Sequence, residues 1–351
     1  MTVNSILQQE KEYRNQTEKR ARNKMSIALV ACTLVFLAQI LFSFIYAGVL
    51  YYNPNYAEGY ISFLLDISMY VCYIGLPFLI AWLLFKNSKK DNKAFIVKRS
   101  APKKVALFIT GALGCSYIVN LIVFVLFPSI NEFGEQLKPV AETPLEIFLC
   151  FCMYAILPAI LEEWAFRGVL LKNLLPYGKW GAIIISAILF GFGHVHPKSI
   201  VNAITFGIIL GICYEYTGSL KIPMIIHFIN NAISTLALLV PEGSAIFYIT
   251  SLSIYVFMGC GIAAIIYYKN NGYKHHKFTL LKPNVNGYKL SIARFLKNFV
   301  CNLAIIPFIP AILLLHKEVV REMFKHASLQ HFIVFSIWNF PKYFQIEGSS
   351  F

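Results

Sequence analysis

The chain has 351 residues, of which 58% are hydrophobic and only 14% are charged, and its mean hydropathy is +0.62. Because a soluble domain usually carries about 25% charged residues, this composition excludes an ordinary soluble protein and predicts an integral membrane protein. The net charge of +14 does not predict a nucleic-acid partner, since the basic residues lie in short clusters between apolar runs, where they act as topology signals. The eight cysteines lie in or beside apolar runs without a CxxC pair, so we expect reduced core residues.

Eight apolar runs follow one another along the chain, and each is predicted to be a transmembrane helix. Most are close to the roughly 20 residues that a bilayer demands, although the fifth is short. The first is too long for the apolar region of a signal peptide and lacks a convincing cleavage site, so we expect it to stay in the protein. The runs cover about residues 25–51, 61–85, 105–127, 143–175, 180–195, 199–216, 223–240 and 245–268.

Lysines and arginines in the connecting loops orient these helices, because cytoplasmic loops carry an excess of both. Loop 86–104 carries eight basic residues, whereas loop 52–60 carries none. The alternation predicts both ends of the bundle in the cytoplasm, and only the brief turn with Lys198 does not fit. We therefore expect an integral, multi-pass membrane protein.

The fourth run contains an unusual charged stretch at residues 159–168, which reads Ala-Ile-Leu-Glu-Glu-Trp-Ala-Phe-Arg-Gly. A charged side chain near the middle of a membrane helix costs roughly 2.5 to 3.5 kcal/mol, so three of them within six residues require a functional explanation. Glu163 and Arg167 are four residues apart and can form an ion pair within their helix. Glu162 projects about 100° away and is free to face another group.

Two further pairs of residues recur at helical spacing in the fifth and seventh runs. Phe190 and His194 share a face, and so do His227 and Asn231. Each residue alone could be a packing residue, because polar side chains tie membrane helices together. Three such pairs within about 70 residues of lipid-embedded chain favour a shared function instead.

Together these pairs resemble the motifs of the CAAX protease and bacteriocin-processing family of intramembrane endopeptidases, also called the Abi family, which includes the type II CAAX prenyl endopeptidases. The resemblance covers about residues 143–241, and no motif position is substituted. The segment 216–220 ahead of Pro223 is also similar to the family's approach to its last motif. The matching motifs are Glu162-Glu163-x-x-x-Arg167, Phe190-x-x-x-His194 and His227-x-x-x-Asn231.

The predicted fold class is all-α, a polytopic transmembrane helix bundle of about eight spans with extra C-terminal apolar helical segments. The C-terminal stretches, about 298–315 and 332–340, could form a ninth span with an interfacial helix or lie on the inner membrane surface. We divide the chain into a basic cytoplasmic N-terminus (1–25), the first three transmembrane helices (26–142), the catalytic core of the family (143–241), the eighth transmembrane helix (242–268), and a basic segment with a membrane-associated C-terminal region (269–351).

The resemblance implies a hydrolase of a bacterial cell membrane that cuts a membrane-associated peptide or a lipidated protein. The loop charges predict that its active site opens toward the cytoplasm. Peptide hydrolysis needs a base that activates water and donors that hold the developing oxyanion. Glu162 is the predicted base, and Glu163, held by Arg167, orders the site. His194 is predicted to orient the water, while His227 and Asn231 donate to the oxyanion.

Alternative functions remain open at this point. His194, His227 and Glu162 could hold Zn²⁺ as a His2Glu set with an open position for water, although the metal-free mechanism is favoured and no cofactor is then needed. The chain could also be a non-catalytic bacteriocin self-immunity or scaffold protein that binds a partner in the membrane. A proton-relay transporter is a third class, but we find no internal repeat.

The depth of His194 in the membrane presents a geometric problem. Counted from the inner ends of their helices, Glu162 lies about 15 Å deep and His194 about 22 Å deep. A tilted fifth helix, or one that starts above the membrane at residues 176–179, would close this gap. Gly191 and Gly193 could also break the helix, since a broken helix is tolerated where the backbone lines a cavity.

Overall fold

The computed structural model describes residues 3–52, 60–87, 105–126, 141–194, 197–270 and 290–315. These residues are predominantly helical and contain no strand, so the predicted all-α class is confirmed. The helices are α1 (Val3–Tyr52), α2 (Tyr60–Asn87), α3 (Val105–Leu126), α4 (Pro144–Tyr177), α5 (Lys179–Gly191), α6 (Pro197–Thr217), α7 (Lys221–Leu239), α8 (Ala245–Asn270), α9 (Ile292–Val300) and α10 (Ile305–Leu315).

Seven of these helices, α1 to α4 and α6 to α8, are long and apolar enough to cross a membrane. The chain is therefore an integral, multi-pass membrane protein. Helix α5 has 13 residues and is the short fifth run of the sequence. Helices α9 and α10 are bent by 77° relative to each other and would add an eighth span only if counted as one broken helix.

Helix α1 is a single helix of 50 residues that begins at Val3. The sequence places a composition boundary near residue 25, but the helix continues through it without a break. Its polar part is tied to the C-terminal segment, since Glu18 pairs with Arg294 and the Arg22 carbonyl accepts from the Asn302 side chain at 3.1 Å. The basic N-terminus is thus part of the bundle's longest helix.

The C-terminal segment also packs onto the bundle at the end of α4 and farther along α1. The Leu290 amide donates to the Tyr177 carbonyl at the end of α4 (2.8 Å), and the ring of Phe308 in α10 lies 5.6 Å from that of Phe36 in α1. Helix α10 therefore lies alongside α1. The second apolar stretch predicted at 332–340 lies outside the described residues.

Helix α4, which carries the charged stretch, departs twice from α-helical geometry. Residues Cys152–Ile156 and Glu163–Leu171 are π-helical, and the first of these stretches lies just before Pro158, which has no N–H to donate. Such π-helical turns occur frequently at functional sites. The carbonyl of Phe166 inside the second stretch accepts a hydrogen bond from the Ser186 hydroxyl of α5 at 3.1 Å, so α5 is fixed against the irregular part of α4.

Small residues bring the helices around α5 close together. A Cβ added to Gly191 would lie 2.3 Å from Ile204 of α6, and one added to Gly207 would lie 3.1 Å from the Cβ of Ala187. Small residues at membrane helix interfaces allow this kind of close approach. The eight cysteines are all free, but only Cys32, Cys150 and Cys213 are buried, and Cys301 is exposed and not part of the core.

Candidate active site

The innermost charged groups form a compact cluster, which we call the ionic centre: Glu163, Arg167 and His227. The side chains of Glu163 and Arg167 are both 0% exposed, and the predicted ion pair between them is present, with Arg167 Nη1 donating to Glu163 Oε1 at 2.9 Å. His227 Nδ1 lies 2.9 Å from the same oxygen. Charges at this depth are tolerated because each has an oppositely charged or hydrogen-bonding neighbour.

The remaining contacts of Arg167 come from two other helices. Its Nη2 donates to the Gly207 carbonyl of α6 at 3.0 Å, and its guanidinium carbon lies 4.6 Å from the centroid of the Phe190 ring of α5. A ring face attracts a cation, so Phe190 adds to the stabilisation of the buried charge. The close approach at Gly207 lets the carbonyl reach the guanidinium.

Glu162, the neighbour of Glu163, lies in a different environment. Its side chain is 13% exposed, and its two oxygens have different partners. The Tyr70 hydroxyl of α2 donates to Oε1 at 2.6 Å, whereas Oε2 lies 3.8 Å from His227 Nε2. Tyr70 therefore fixes one oxygen, and the other faces the imidazole at a distance too long for a direct hydrogen bond.

His194 lies just beyond the end of α5, where the helix is broken. The His194 amide donates to the Gly191 carbonyl at 2.9 Å and the Gly193 amide to the Phe190 carbonyl at 3.1 Å, so the chain turns tightly at the two glycines. The His194 ring packs edge-on against Phe190, with centroids 5.2 Å apart. Both the helix break and the aromatic contact agree with the sequence-based expectations.

A cavity of about 230 Å³ joins Glu162 and His194, which both line it. Its walls also include residues from α1 and α2, among them Tyr70. Five of the six predicted site residues thus divide between this cavity and the ionic centre, and His227 lies 2.9 Å from Glu163 and 3.8 Å from Glu162.

Asn231 is the predicted site residue that belongs neither to the cavity lining nor to the ionic centre. It is half-buried on α7, one turn beyond His227, and its Oδ1 accepts from Asn230 Nδ2 at 3.1 Å. It is not among the described residues that line the cavity. The structure therefore places it one helical turn from His227, and the described hydrogen bond of its side chain goes to Asn230 and not to either glutamate.

Among the described residues, the alternative zinc set of His194, His227 and Glu162 is not gathered into a metal-binding group. Among the parts of the chain that the structure describes, no group of three or more His, Cys, Asp or Glu side chains could hold a metal ion. His227 Nδ1 contacts Glu163, and His194 Nδ1 lies 3.3 Å from the Phe190 carbonyl, contacts that a histidine makes with or without a bound metal.

Sequence reasoning missed Tyr70 and the Gly207 carbonyl. Tyrosine in membrane proteins is enriched at the two interfaces, whereas Tyr70 lies ten residues inside α2 and is 6% exposed. The position of Tyr70 in the interior of a predicted span was the sequence signal that could have identified it as a site residue. The contact of the Gly207 carbonyl has no sequence signal, since every residue type has a backbone carbonyl.

Comparisons with known proteins bear on this same part of the chain. Residues 144–233, which include all six predicted site residues, match the family model described as type II CAAX prenyl endopeptidase Rce1-like. The resemblance inferred from the motifs is confirmed. The Rce1-like segment supports the assignment of a membrane protease.

Two curated proteins are similar to the chain. The membrane-embedded CAAX protease MroQ of Staphylococcus aureus is 26% identical over 185 residues, which cover 48% of this chain and 74% of MroQ. The protein YpbD of Bacillus subtilis is 41% identical over 81 residues, which cover 22% of this chain and 40% of YpbD. No solved structure shows a significant match. Tyr70 and the cavity walls from α1 and α2 lie outside the Rce1-like segment.

Proposed function

We propose that the chain is an intramembrane endopeptidase of the CAAX-processing type, which hydrolyses a peptide bond of a membrane-associated protein or peptide. The observation that carries the proposal is the environment of Glu162. This carboxylate borders a cavity, has one oxygen held by Tyr70, and lies in the Rce1-like segment. A carboxylate so placed suits a general base, which must reach water in a site with restricted solvent.

In this mechanism Glu162 Oε2 takes a proton from a water in the cavity, since Oε1 already accepts from Tyr70. The hydroxide adds to the carbonyl carbon of the substrate, and the carbonyl oxygen becomes an oxyanion. When the carbon–nitrogen bond breaks, Glu162 returns the proton to the leaving amine. His194, on the same cavity, orients the water or the substrate carbonyl.

His227 can donate a hydrogen bond to the oxyanion only if both of its ring nitrogens carry a proton. Because a carboxylate only accepts hydrogen bonds, the proton between His227 and Glu163 belongs to Nδ1. For Nε2 to donate to the oxyanion, the ring must carry a second proton. The ionic centre together with Glu162 has two carboxylates and one guanidinium, so a positively charged imidazole would make these four groups neutral.

Glu163 and Arg167 act in this proposal through His227, by fixing its ring and compensating its charge. This is the role that a carboxylate plays toward the histidine of a catalytic triad. Asn231, one turn away on α7, supplies a second donor to the oxyanion from its amide nitrogen. The active site opens toward the cytoplasm in this proposal, on the strength of the lysine-rich loops.

The decisive experiment compares cells that express wild-type protein, Glu162→Gln and the matched control Glu215→Gln. Glu215 is also a membrane-helix carboxylate, but it pairs with Lys179 at 2.7 Å and does not border the cavity. Mass spectrometry of membrane and secreted peptides should find products that disappear with Glu162→Gln and persist with Glu215→Gln.

Peptide sets that are identical in all three strains and in a strain that lacks the protein would overturn the proposal. In that case a phenotype of the wild-type protein that survives Glu162→Gln would favour the non-catalytic immunity or scaffold role. Cleavage that persists in Glu162→Gln but depends on the protein would refute the assignment of the base.

A further inference from the structure

Asp66 is a carboxylate in a membrane-spanning helix that the proposed mechanism does not use. It lies six residues after the start of α2, in a segment long and apolar enough to cross a membrane. Its side chain is half-buried, and in the part of the chain that the structure describes it forms no ion pair or hydrogen bond. Ionisable groups inside a membrane are rare and usually mark functional sites. Asp66 is therefore a candidate binding residue for a positively charged group.

Helical spacing connects Asp66 with the candidate active site. Asp66 and Tyr70 are four residues apart, so they share one face of α2, with about 6 Å between their Cβ atoms. The Tyr70 hydroxyl is the donor to Glu162, at 2.6 Å. Tyr73 continues the same face and packs edge-on against Tyr70, with ring centroids 5.2 Å apart. Asp66 thus lies one helical turn from the site, toward the start of α2, and is not among the described residues that line the cavity.

Tyrosines from two other helices lie near the Asp66 carboxylate. Asp66 interacts electrostatically with the hydroxyls of Tyr46 on α1 and Tyr154 on α4. Tyr154 is 43% exposed and Tyr46 is half-buried, so these side chains reach the surface of the bundle. We call Asp66, Tyr46 and Tyr154 the lateral acidic site. A carboxylate attracts a cation, and the faces of aromatic rings do so as well, so the site suits an ammonium or a guanidinium group.

We propose that the lateral acidic site binds a lysine or arginine side chain of the membrane-embedded segment of the substrate, outside the cavity. The inference rests on the proposed endopeptidase function, whose substrate is a membrane-associated protein or peptide. Charged residues in membrane segments pair with one another, so a basic residue in an apolar stretch gains at Asp66 a partner that lipid tails do not offer. Asp66 and Tyr46 lie outside the Rce1-like segment, so this contact depends on the first two helices of the chain.

The separation of Asp66 from Glu162 predicts the position of the basic residue in the substrate. An extended peptide advances about 3.3 to 3.6 Å per residue, so the roughly 6 Å between positions 66 and 70 correspond to about two residues. The lysine or arginine should therefore lie about two to four residues from the bond that is cut. Precursors whose cleavage depends on the protein should share a basic residue at this distance, within an apolar stretch.

The test measures kcat and KM for two synthetic peptides. One is a copy of a precursor whose cleavage depends on the protein, and in the other glutamine replaces the basic residue. Purified wild-type protein is compared with Asp66→Asn and with the control Glu142→Gln. Glu142 is a matched control because it is a carboxylate in the exposed turn before α4.

Loss of either charge should weaken binding of the substrate without slowing the chemical step. Glutamine in the peptide, or Asp66→Asn in the protein, should each raise KM about tenfold and leave kcat unchanged, because the contact is made equally before and during the reaction. The two changes together should raise KM no more than either one alone, since both remove the same ion pair. Glu142→Gln should behave like the wild-type protein with both peptides.

Measurements on the wild-type protein can overturn the inference even if Asp66→Asn fails to accumulate. Equal KM values for the two peptides, or cleaved precursors without a basic residue near the cut, would show that the lateral acidic site does not bind substrate, while the endopeptidase function stands. A lower kcat in Asp66→Asn with both peptides alike would assign Asp66 to the chemical step or to folding and would also overturn the inference. If no peptide depends on the protein, the proposed function fails and this inference with it.

Discussion

Glu162 and Glu163 are adjacent in sequence but belong to two regions of very different physics. Glu163 lies in the ionic centre, where it is fully buried and receives both Arg167 and His227 on one oxygen. Glu162 lies at the cavity, partly exposed, and receives a hydrogen bond from Tyr70. Neighbouring helical residues point to different faces, so one turn of α4 serves both regions.

The difference between these two environments shows how a membrane protein can hold a carboxylate that remains accessible to water. A buried charge must be compensated, and the ionic centre does this for Glu163 at the cost of making it unavailable to water. Glu162 avoids most of that cost by remaining at the cavity. The comparison predicts that substituting Glu162 lowers the rate of hydrolysis, whereas substituting Glu163 lowers the stability of the fold.

The largest expected effect is on the rate of hydrolysis by Glu162→Gln. Losing a general base typically lowers a rate by about 10² to 10⁴, and this substitution should do so without changing the thermal unfolding midpoint of the purified protein. The measurement is turnover of a peptide identified in the cellular comparison. A rate within threefold of wild type would remove Glu162 from the role of base.

Substitution of Glu163 should instead damage folding. Glu163→Ala leaves Arg167 buried without its ion-pair partner, which costs about 3 to 5 kcal/mol, whereas Glu162→Ala should cost far less. Thermal unfolding in detergent compares the two proteins directly. Adding Arg167→Met to Glu163→Ala should restore part of the lost stability, because the uncompensated charge is then removed. Equal midpoints for the two single variants would contradict the division into two regions.

A smaller effect is expected from Tyr70→Phe, which removes the hydroxyl bonded to Glu162 and keeps the ring. We expect kcat to fall about tenfold with KM unchanged, since the hydrogen bond orients the base and does not hold substrate. Tyr117→Phe on α3 is the matched control. A rise in KM alone would assign Tyr70 to substrate binding.

The smallest expected effect is that of metal removal. If a zinc ion joined Glu162, His194 and His227, the cavity and the ionic centre would be one metal site, and chelation would abolish hydrolysis. We expect purified protein to retain its full rate after dialysis against a chelator. If the chelator abolished hydrolysis and added Zn²⁺ restored it, the cavity and the ionic centre would be parts of one metal site.

The sequence alone determined much of this molecule because its signals are local. Apolar run lengths gave the helices, four-residue spacing gave the Glu163–Arg167 ion pair, and two glycines marked the end of α5. Where the sequence fell short, the signals were weak or absent: α1 begins far earlier than the apolar run because polar residues also favour helix when a partner segment covers them.

Only the tertiary structure decided which oxygen of Glu162 is held and which is open. That choice depends on Tyr70, 92 residues away, and on His227, which lies 64 residues from Glu163. Spacing along one helix cannot reveal such contacts, since they arise when α2, α4 and α7 pack together. The same packing forms the cavity, because the shape of the cavity depends on how side chains from separate helices meet.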